Sequence, residues 1–134
     1  IDGSNSGSVV TFENGEDSSA VLIGFRITSS FANSPLKCID SSPTLSHLSV
    51  RNNMFYSGSE AGIHLFNSNS KLDNLYIADN VKNSTGYGGA GIWVENSSII
   101  ISNSLIVNNI GFIDCLTISS HTLIFTGSGK LVFT

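Results

Sequence analysis

Short apolar-x-apolar pairs alternate along the chain with clusters of Ser, Asn and Gly, and the pairs return at a nearly constant spacing. Residues 36–53, 63–80 and 92–109 align with one another, and residues 10–30 fit the same template after a short insertion. The first pair of each unit is Val10/Phe12, Leu36/Cys38, Ile63/Leu65 and Ile92/Val94, so the units start 26, 27 and 29 residues apart. A fixed period of this length is typical of repeat architectures.

Each unit contains a second group of apolar positions after a polar turn. The second pairs are Phe25/Ile27, Leu48/Val50, Leu75/Ile77 and Ser104/Ile106, and single apolar residues precede them at Leu22, Leu45, Leu72 and Ile101. A weaker fifth unit runs from Leu116/Ile118 through Leu123 and Phe125 to Leu131 and Phe133. Alternation with period two predicts short strands that turn one face inward.

Two or three short strands per unit, with equivalent strands recurring once per unit, predict a coil in which each rung stacks on the previous one. Equivalent strands would then pair in parallel about 4.8 Å apart. The sequence therefore predicts an all-β, single-chain parallel β-helix of about five rungs that occupies residues 1–134 as one domain.

Polar residues return at two turn positions of the template. One set is Asn14, Asp40, Asn67 and Asn96, and the other is Ser30, Asn53, Asn80 and Asn109. Side-chain amides at such positions can bond to neighbouring rungs and to backbone groups that have left the ladder. We predict structural asparagine ladders, with a functional polar row as the alternative.

Composition narrows the classes of function. The formal net charge is −4 over 134 residues, with 12% charged residues, which disfavours binding to a nucleic acid backbone. No apolar run approaches the roughly 18 to 20 residues of a membrane span, and the first residues do not resemble a signal peptide. Because the sequence starts at Ile1, we expect a processed product or a piece of a longer repeat protein whose export signal and anchor lie elsewhere.

The two cysteines fall in different rungs of the predicted coil. Cys38 belongs to an interior column of the second rung and Cys115 to the entry of the fifth. Three rungs would separate them by roughly 14 Å, beyond the reach of a disulfide. We therefore expect two free thiols.

The pattern resembles the right-handed parallel β-helix repeats of the pectin lyase-like superfamily. The resemblance covers roughly residues 1–125 and is carried by IDGSNSGSVVTFENGEDSSAVLIGF and by units such as GAGIWVENSSIIISNSLIVNN. The resemblance implies a right-handed coil. The sequence is similar in particular to repeat domains of secreted and surface-anchored bacterial proteins. Because enzymes, adhesins and stalks share such repeats, the resemblance implies a fold more than a function.

The outward positions of the first strands carry the candidate chemistry. Thr11, Lys37, His64, Trp93 and Thr117 form one predicted outward row, and Ile39, Phe66 and Glu95 lie two residues further along their strands. We expect His64, Phe66, Trp93 and Glu95 to form an exposed patch, with loops that hold Phe55/Tyr56, Tyr87 and Phe112 as a wall beside it. Aromatic faces beside polar groups suit sugar rings, so His64, Phe66, Trp93, Glu95 and Tyr87 are the predicted carbohydrate contacts. The alternative is that these bulky residues only cover the sheet.

Catalysis finds less support in the sequence. Glycoside hydrolysis needs two carboxylates about 5 to 9.5 Å apart, yet Phe66 stands beside Glu95 on the next rung and Glu13 is roughly 14 Å away. The stretch Gly86–Gly91 matches a dinucleotide-binding pattern but leads into a strand, so we interpret it as a loop. We assign no catalytic residue, metal site or cofactor.

These observations lead to one functional expectation with an alternative. We expect a non-catalytic extracellular or bacterial cell-surface domain with a structural or adhesive role, and a polysaccharide as the candidate ligand. Flanking repeats or another copy would stack at the solenoid ends. The alternative is a polysaccharide lyase or glycoside hydrolase, or a fragment of one, that uses the same strand face.

Overall fold

The structure, a computed structural model, is described for residues 1–56, 60–85 and 89–111 and for the backbone of 116–118 and 122–126. These residues form strands and turns and no helix. The first turn comprises β1 (Val10–Phe12), β2 (Val21–Ile23), β3 (Arg26–Ile27) and β4 (Phe31–Ala32). The second comprises β5 (Leu36–Ile39), β6 (Thr44–Ser46), β7 (Ser49–Arg51) and β8 (Met54–Phe55).

The same four-strand order continues along the chain. The third turn comprises β9 (Ile63–Phe66), β10 (Lys71–Asp73), β11 (Tyr76–Ala78) and β12 (Val81–Lys82). The fourth contains β13 (Ile92–Glu95), β14 (Ser98–Ser102) and β15 (Leu105–Val107), and β16 (Leu116–Ile118) and β17 (Thr122–Thr126) follow. The described residues thus hold three complete turns rather than about five, with parts of two more.

Equivalent strands of successive turns pair in parallel and form four sheets. Sheet 1 has the order β1-β5-β9-β13-β16, sheet 2 β2-β6-β10-β14-β17, sheet 3 β3-β7-β11-β15 and sheet 4 β4-β8-β12. The register of sheet 1 places Val10, Leu36, Ile63, Ile92 and Leu116 on one another, as the repeat predicts. The predicted parallel β-solenoid is therefore confirmed.

The core consists of columns of apolar side chains that run along the solenoid. Leu22, Leu45, Leu72 and Ile101 stack in sheet 2, and Ile27, Val50, Ile77 and Ile106 stack in sheet 3. Both columns belong to the hydrophobic core, and every residue of these two columns is buried except Leu22 in the first turn. Because each side chain packs on its equivalent one turn away, burial stabilises every turn through its neighbours.

Left-handed backbone conformations mark three corners of the coil. Asp40, Asn67 and Asn96 have φ between 47° and 49°, His47, Asn74 and Asn103 between 49° and 54°, and Asn52, Asp79 and Asn108 between 55° and 56°. Asn and Asp tolerate this conformation better than other side chains because their short polar groups bond locally. The predicted turn residues Asp40, Asn67 and Asn96 therefore make the corner after sheet 1.

A buried asparagine ladder runs along the corner before sheet 4. The Asn53 Nδ2 donates to Asn80 Oδ1 at 2.9 Å, and the Asn80 Nδ2 donates to Asn109 Oδ1 at 2.8 Å. Each amide also donates to a core carbonyl, those of Ile27, Val50 and Ile77. Backbone N–H groups of Ser30, Asn53 and Asn80 donate to the next Oδ1, so the predicted structural ladder is confirmed at this turn.

The connection from sheet 4 to sheet 1 lengthens from turn to turn. It spans residues 33–35 after β4, 56–62 after β8 and 83–91 after β12. The strands that flank it nevertheless keep their register. The difference between the 27-residue and the 29-residue unit is thus absorbed at this corner.

We predict that Asn80→Ala lowers the free energy of unfolding by about 3 kcal/mol, measured by chemical denaturation. The substitution leaves the Asn53 amide and the Val50 carbonyl buried without their partner, and each such group costs about 1 to 3 kcal/mol. Asn83→Ala is the matched control because Asn83 is exposed, and it should change stability by less than about 0.5 kcal/mol. Equal effects of the two variants would contradict the ladder's role.

Candidate functional site

The outward face of sheet 1 is the site that the sequence singles out. The register places Lys37 beside His64 and His64 beside Trp93, and it places Ile39, Phe66 and Glu95 in a second row. Strand alternation turns these side chains away from the interior columns. The structure therefore brings His64, Phe66, Trp93 and Glu95 onto one face, in the predicted arrangement.

His64 and Trp93 form a stacked pair on this face. Their ring centroids lie 4.2 Å apart, with 10° between the ring planes. Trp93 is only 7% exposed, which corrects the expectation of an exposed tryptophan. The expectation failed because alternation predicts which side of a sheet a residue occupies but not what lies over that side. Tyr87, the fifth predicted contact, lies outside the described residues.

Burial also governs the chemistry of His64. Its two ring nitrogens are inaccessible and have no hydrogen-bond partner among the residues that the structure describes. Burial lowers the pKa of the imidazole to about 4, a nearby Glu60 carboxylate opposes this shift and the Lys37 ammonium adds to it. At neutral pH the ring is therefore neutral, and it contributes packing against Trp93 rather than charge.

An ion pair that the sequence did not indicate lies beside this row. The Lys37 Nζ is 2.9 Å from Glu60 Oε1, and Glu60 is almost completely buried. The other carboxylate oxygen accepts the Ser34 N–H at 2.6 Å, and the Ser34 hydroxyl accepts the Ala61 N–H at 2.8 Å. Glu60 thus attaches the long connection before β9 to the turn below, which explains why its position shows no repeat pattern.

Phe66 and Glu95 are accessible residues of this face. Both side chains are half-buried and lie opposite each other on β9 and β13. The Asn67 N–H, at the corner after Phe66, donates to the Glu95 carbonyl at 3.1 Å, which ties the two strand ends together. A phenyl ring and a carboxylate are therefore held side by side on a rigid sheet.

The loop aromatics predicted as a wall beside the face have different surroundings. Phe55 is completely buried in the column Ala32, Phe55 and Lys82 of sheet 4, whereas Tyr56 is 44% exposed. Phe112 lies outside the described residues. The sequence could not separate Phe55 from Tyr56 because sheet 4 has strands of only two residues, too short for visible alternation.

Cys38 is a buried core residue with a free thiol, as expected. Burial raises the pKa of this thiol to about 12, so it is protonated and unreactive at neutral pH. Cys115 lies outside the described residues, and the predicted distance between the two cysteines stays a prediction.

The described ranges contain neither a cluster of metal-binding side chains nor a membrane-crossing helix. No group of three or more His, Cys, Asp or Glu side chains in them is arranged to hold a metal ion. Nor do they contain a helix of the length and apolar character that crossing a membrane requires.

Together these features define a parallel β-solenoid with a rigid, partly aromatic outward face. No protein-family model matches the chain. No curated protein matches it either, and no solved structure does. The class of protein therefore follows from the repeat and the fold alone.

We predict that Trp93→Ala destabilises the fold by about 3 kcal/mol, because it removes a buried aromatic side chain and its stacking on His64. Thermal or denaturant unfolding measures the effect. Tyr76→Ala is the matched control, since Tyr76 is a half-buried aromatic residue on the outward row of sheet 3, and we expect a loss of about 1 kcal/mol. A Trp93 variant as stable as the control would mean that Trp93 is exposed.

We predict that the stability of the protein falls as the pH decreases from 6.5 towards 4, the two values that bracket the titration of His64. Between these pH values the imidazole is protonated in the unfolded chain but stays neutral in the folded protein. Proton binding therefore stabilises the unfolded state relative to the folded state. The free energy of unfolding that depends on His64 is fully present above pH 6.5 and is lost as the pH falls to 4. The loss amounts to about 3 kcal/mol.

Denaturation midpoints of the wild type and of His64→Phe at several pH values test this prediction. The variant keeps an aromatic ring on Trp93 and should lose most of the slope between pH 6.5 and 4. The hydrogen bond from the Ser102 hydroxyl lowers the pKa of Asp73. Protonation of Asp73 therefore affects stability at lower pH, and it does so equally in the wild type and the variant. Identical pH profiles would refute the assignment.

Proposed function

We propose that this chain is a non-catalytic solenoid domain with a structural or adhesive role, located outside the cell or on a bacterial cell surface, and that the outward face of sheet 1 binds carbohydrate. We further propose that it belongs to the right-handed β-helices of the pectin lyase-like superfamily. The repeat sequence supports this family, as residues 1–25 and 89–109 resemble its units. The proposed location rests on the same resemblance.

The observation that carries the proposed binding role is the pair Phe66 and Glu95. These neighbouring half-buried side chains offer a ring face and a hydrogen-bonding carboxylate on adjacent strands. A sugar ring presents an apolar face and hydroxyl groups at its edge, so the two residues together match its surface. The stacked columns below keep the strands from moving, which lowers the entropic cost of binding.

The chemistry around Glu95 favours binding over catalysis. Its neighbour on the adjacent strand is Phe66, and hydrolysis of a glycosidic bond uses a second carboxyl group about 5 to 9.5 Å away. Glu60, the buried acid nearest to His64 and Lys37, already accepts hydrogen bonds at both oxygens. His64 is neutral and stacked, so the residues of this face are suited to contact rather than to proton transfer.

A glycan array that records both retention and cleavage tests the proposal. Wild-type protein should be retained on a subset of polysaccharides, and Phe66→Ala should reduce retention about tenfold because it removes the ring face. Glu95→Gln should weaken retention less and leave the fold intact.

Tyr76→Ala is the matched control, because it removes an outward aromatic side chain from sheet 3. It should leave retention unchanged. Equal losses in Phe66→Ala and Tyr76→Ala would place binding elsewhere, and absence of retention would refute the carbohydrate role. Cleavage products that disappear in Glu95→Gln would overturn the non-catalytic assignment and support the enzyme alternative.

A further inference from the structure

Sheet 4 carries an outward row that differs from that of sheet 1. The register stacks Phe31, Met54, Val81 and Ile110 on successive turns, so every described position of this row is apolar. Phe31, Met54 and Ile110 are 42%, 38% and 65% exposed. Exposed apolar groups that follow one another in a line mark interaction sites more often than isolated ones do.

A cleft lies at the first-turn end of this row. Its volume is about 470 Å³, within the range of small-molecule sites, and it is lined by Asn5, Ser30, Phe31, Asn52 and Met54. Tyr56 extends the apolar side: its ring centroid is 5.1 Å from that of Phe31 at an angle of 57°, and its hydroxyl donates to the Met54 sulfur at 2.9 Å. Two rings thus meet at an angle beside the opening.

Two side-chain amides in the cleft are available for hydrogen bonding. The Asn5 and Asn52 side chains are exposed and form no hydrogen bond with any residue that the structure describes. Their backbones are fixed, because the Asn5 N–H donates to the Ser29 carbonyl and the Ser29 N–H donates to the Asn52 carbonyl. Since Asn5 and Asn52 lie on either side of Ser29 across two strand spacings, their backbones are roughly 10 Å apart.

The base of the cleft is rigid. The Ser30 Oγ lies 2.8 Å from the Gly7 carbonyl oxygen and 2.6 Å from that of Asn33, and its one hydrogen is shared between these two acceptors, so the hydroxyl supports the wall instead of meeting a ligand. The Ser30 N–H donates to Asn53 Oδ1, the first amide of the buried ladder. A ligand would therefore meet a preformed surface and pay little for ordering it.

We propose that this cleft is a binding site for a neutral oligosaccharide, a disaccharide or longer. The described lining residues are uncharged, which favours an uncharged ligand over an anionic one. Each amide offers both a donor and an acceptor, which is what a pair of sugar hydroxyls requires, and an apolar peptide would leave both amides unpaired. The site is separate from the outward face of sheet 1 and stands or falls independently of the function proposed there.

Titration with defined hexasaccharides tests the proposal: cellohexaose, xylohexaose, mannohexaose and chitohexaose as neutral probes and hexagalacturonate as the anionic probe, each followed by isothermal calorimetry. Wild-type protein should bind at least one neutral probe with an affinity that salt does not change, because no ion pair forms. Phe31→Ala should weaken binding about tenfold. Asn52→Asp tolerates the left-handed backbone but replaces the amide donors with a charged carboxylate that can only accept, so it should weaken binding several-fold.

Phe25→Ala is the matched control, since Phe25 is 44% exposed and does not line the cleft. It should bind like the wild type. No binding of any neutral probe, unchanged binding in both cleft variants, or a preference for the anionic probe would each overturn the proposal.

Sedimentation of the wild type and of Phe31→Ala tests whether a second copy of the chain occupies the cleft instead of a sugar. A wild-type dimer that Phe31→Ala dissociates would assign the cleft to a second copy of the chain and overturn the sugar proposal. Should Phe31→Ala fail to fold by circular dichroism, Asn52→Asp decides alone, because it changes a single exposed amide.

Discussion

The repeating features of this protein depend on one constraint, namely that each turn stacks on the next without a shift in register. Parallel pairing of equivalent strands places like residues on like, so an apolar residue at one interior position requires an apolar residue at the same position one turn away. The asparagine ladder imposes the same requirement on a polar column, because each amide satisfies the next. A turn whose residues broke the template would leave its neighbours on both sides without partners.

This constraint leaves the outward rows free to differ, and the two faces show what that freedom permits. On sheet 1 a tryptophan and a histidine cover each other and withdraw from solvent, while Phe66 and Glu95 stay accessible. On sheet 4 an apolar row remains exposed beside two unengaged amides. Both surfaces rest on the same locked interior, so differences in their chemistry cost the fold little.

The sequence predicted what repetition enforces and missed what occurs once. Interior columns such as Leu36, Ile63 and Ile92 and the ladder at Asn53 and Asn80 could be identified because each recurs with the period. The fourth strand of each turn, two residues long, was too short to show alternation. The burial of Trp93 and the anchoring role of Glu60 depend on connections that belong to single turns, and a periodic pattern carries no information about them. The cleft at Phe31 likewise arises where the first residues of the chain meet the first turn.

The connection between sheet 4 and sheet 1 grows from three residues to seven and then nine without disturbing the strands around it. An insertion inside a strand would move its side chains to the opposite face, whereas an insertion at this corner lengthens only the connection. Insertions and deletions can therefore accumulate at this corner while the stacked framework is kept intact. Lineages that share this solenoid should diverge first in the spacing between units and last in the residues that face inward.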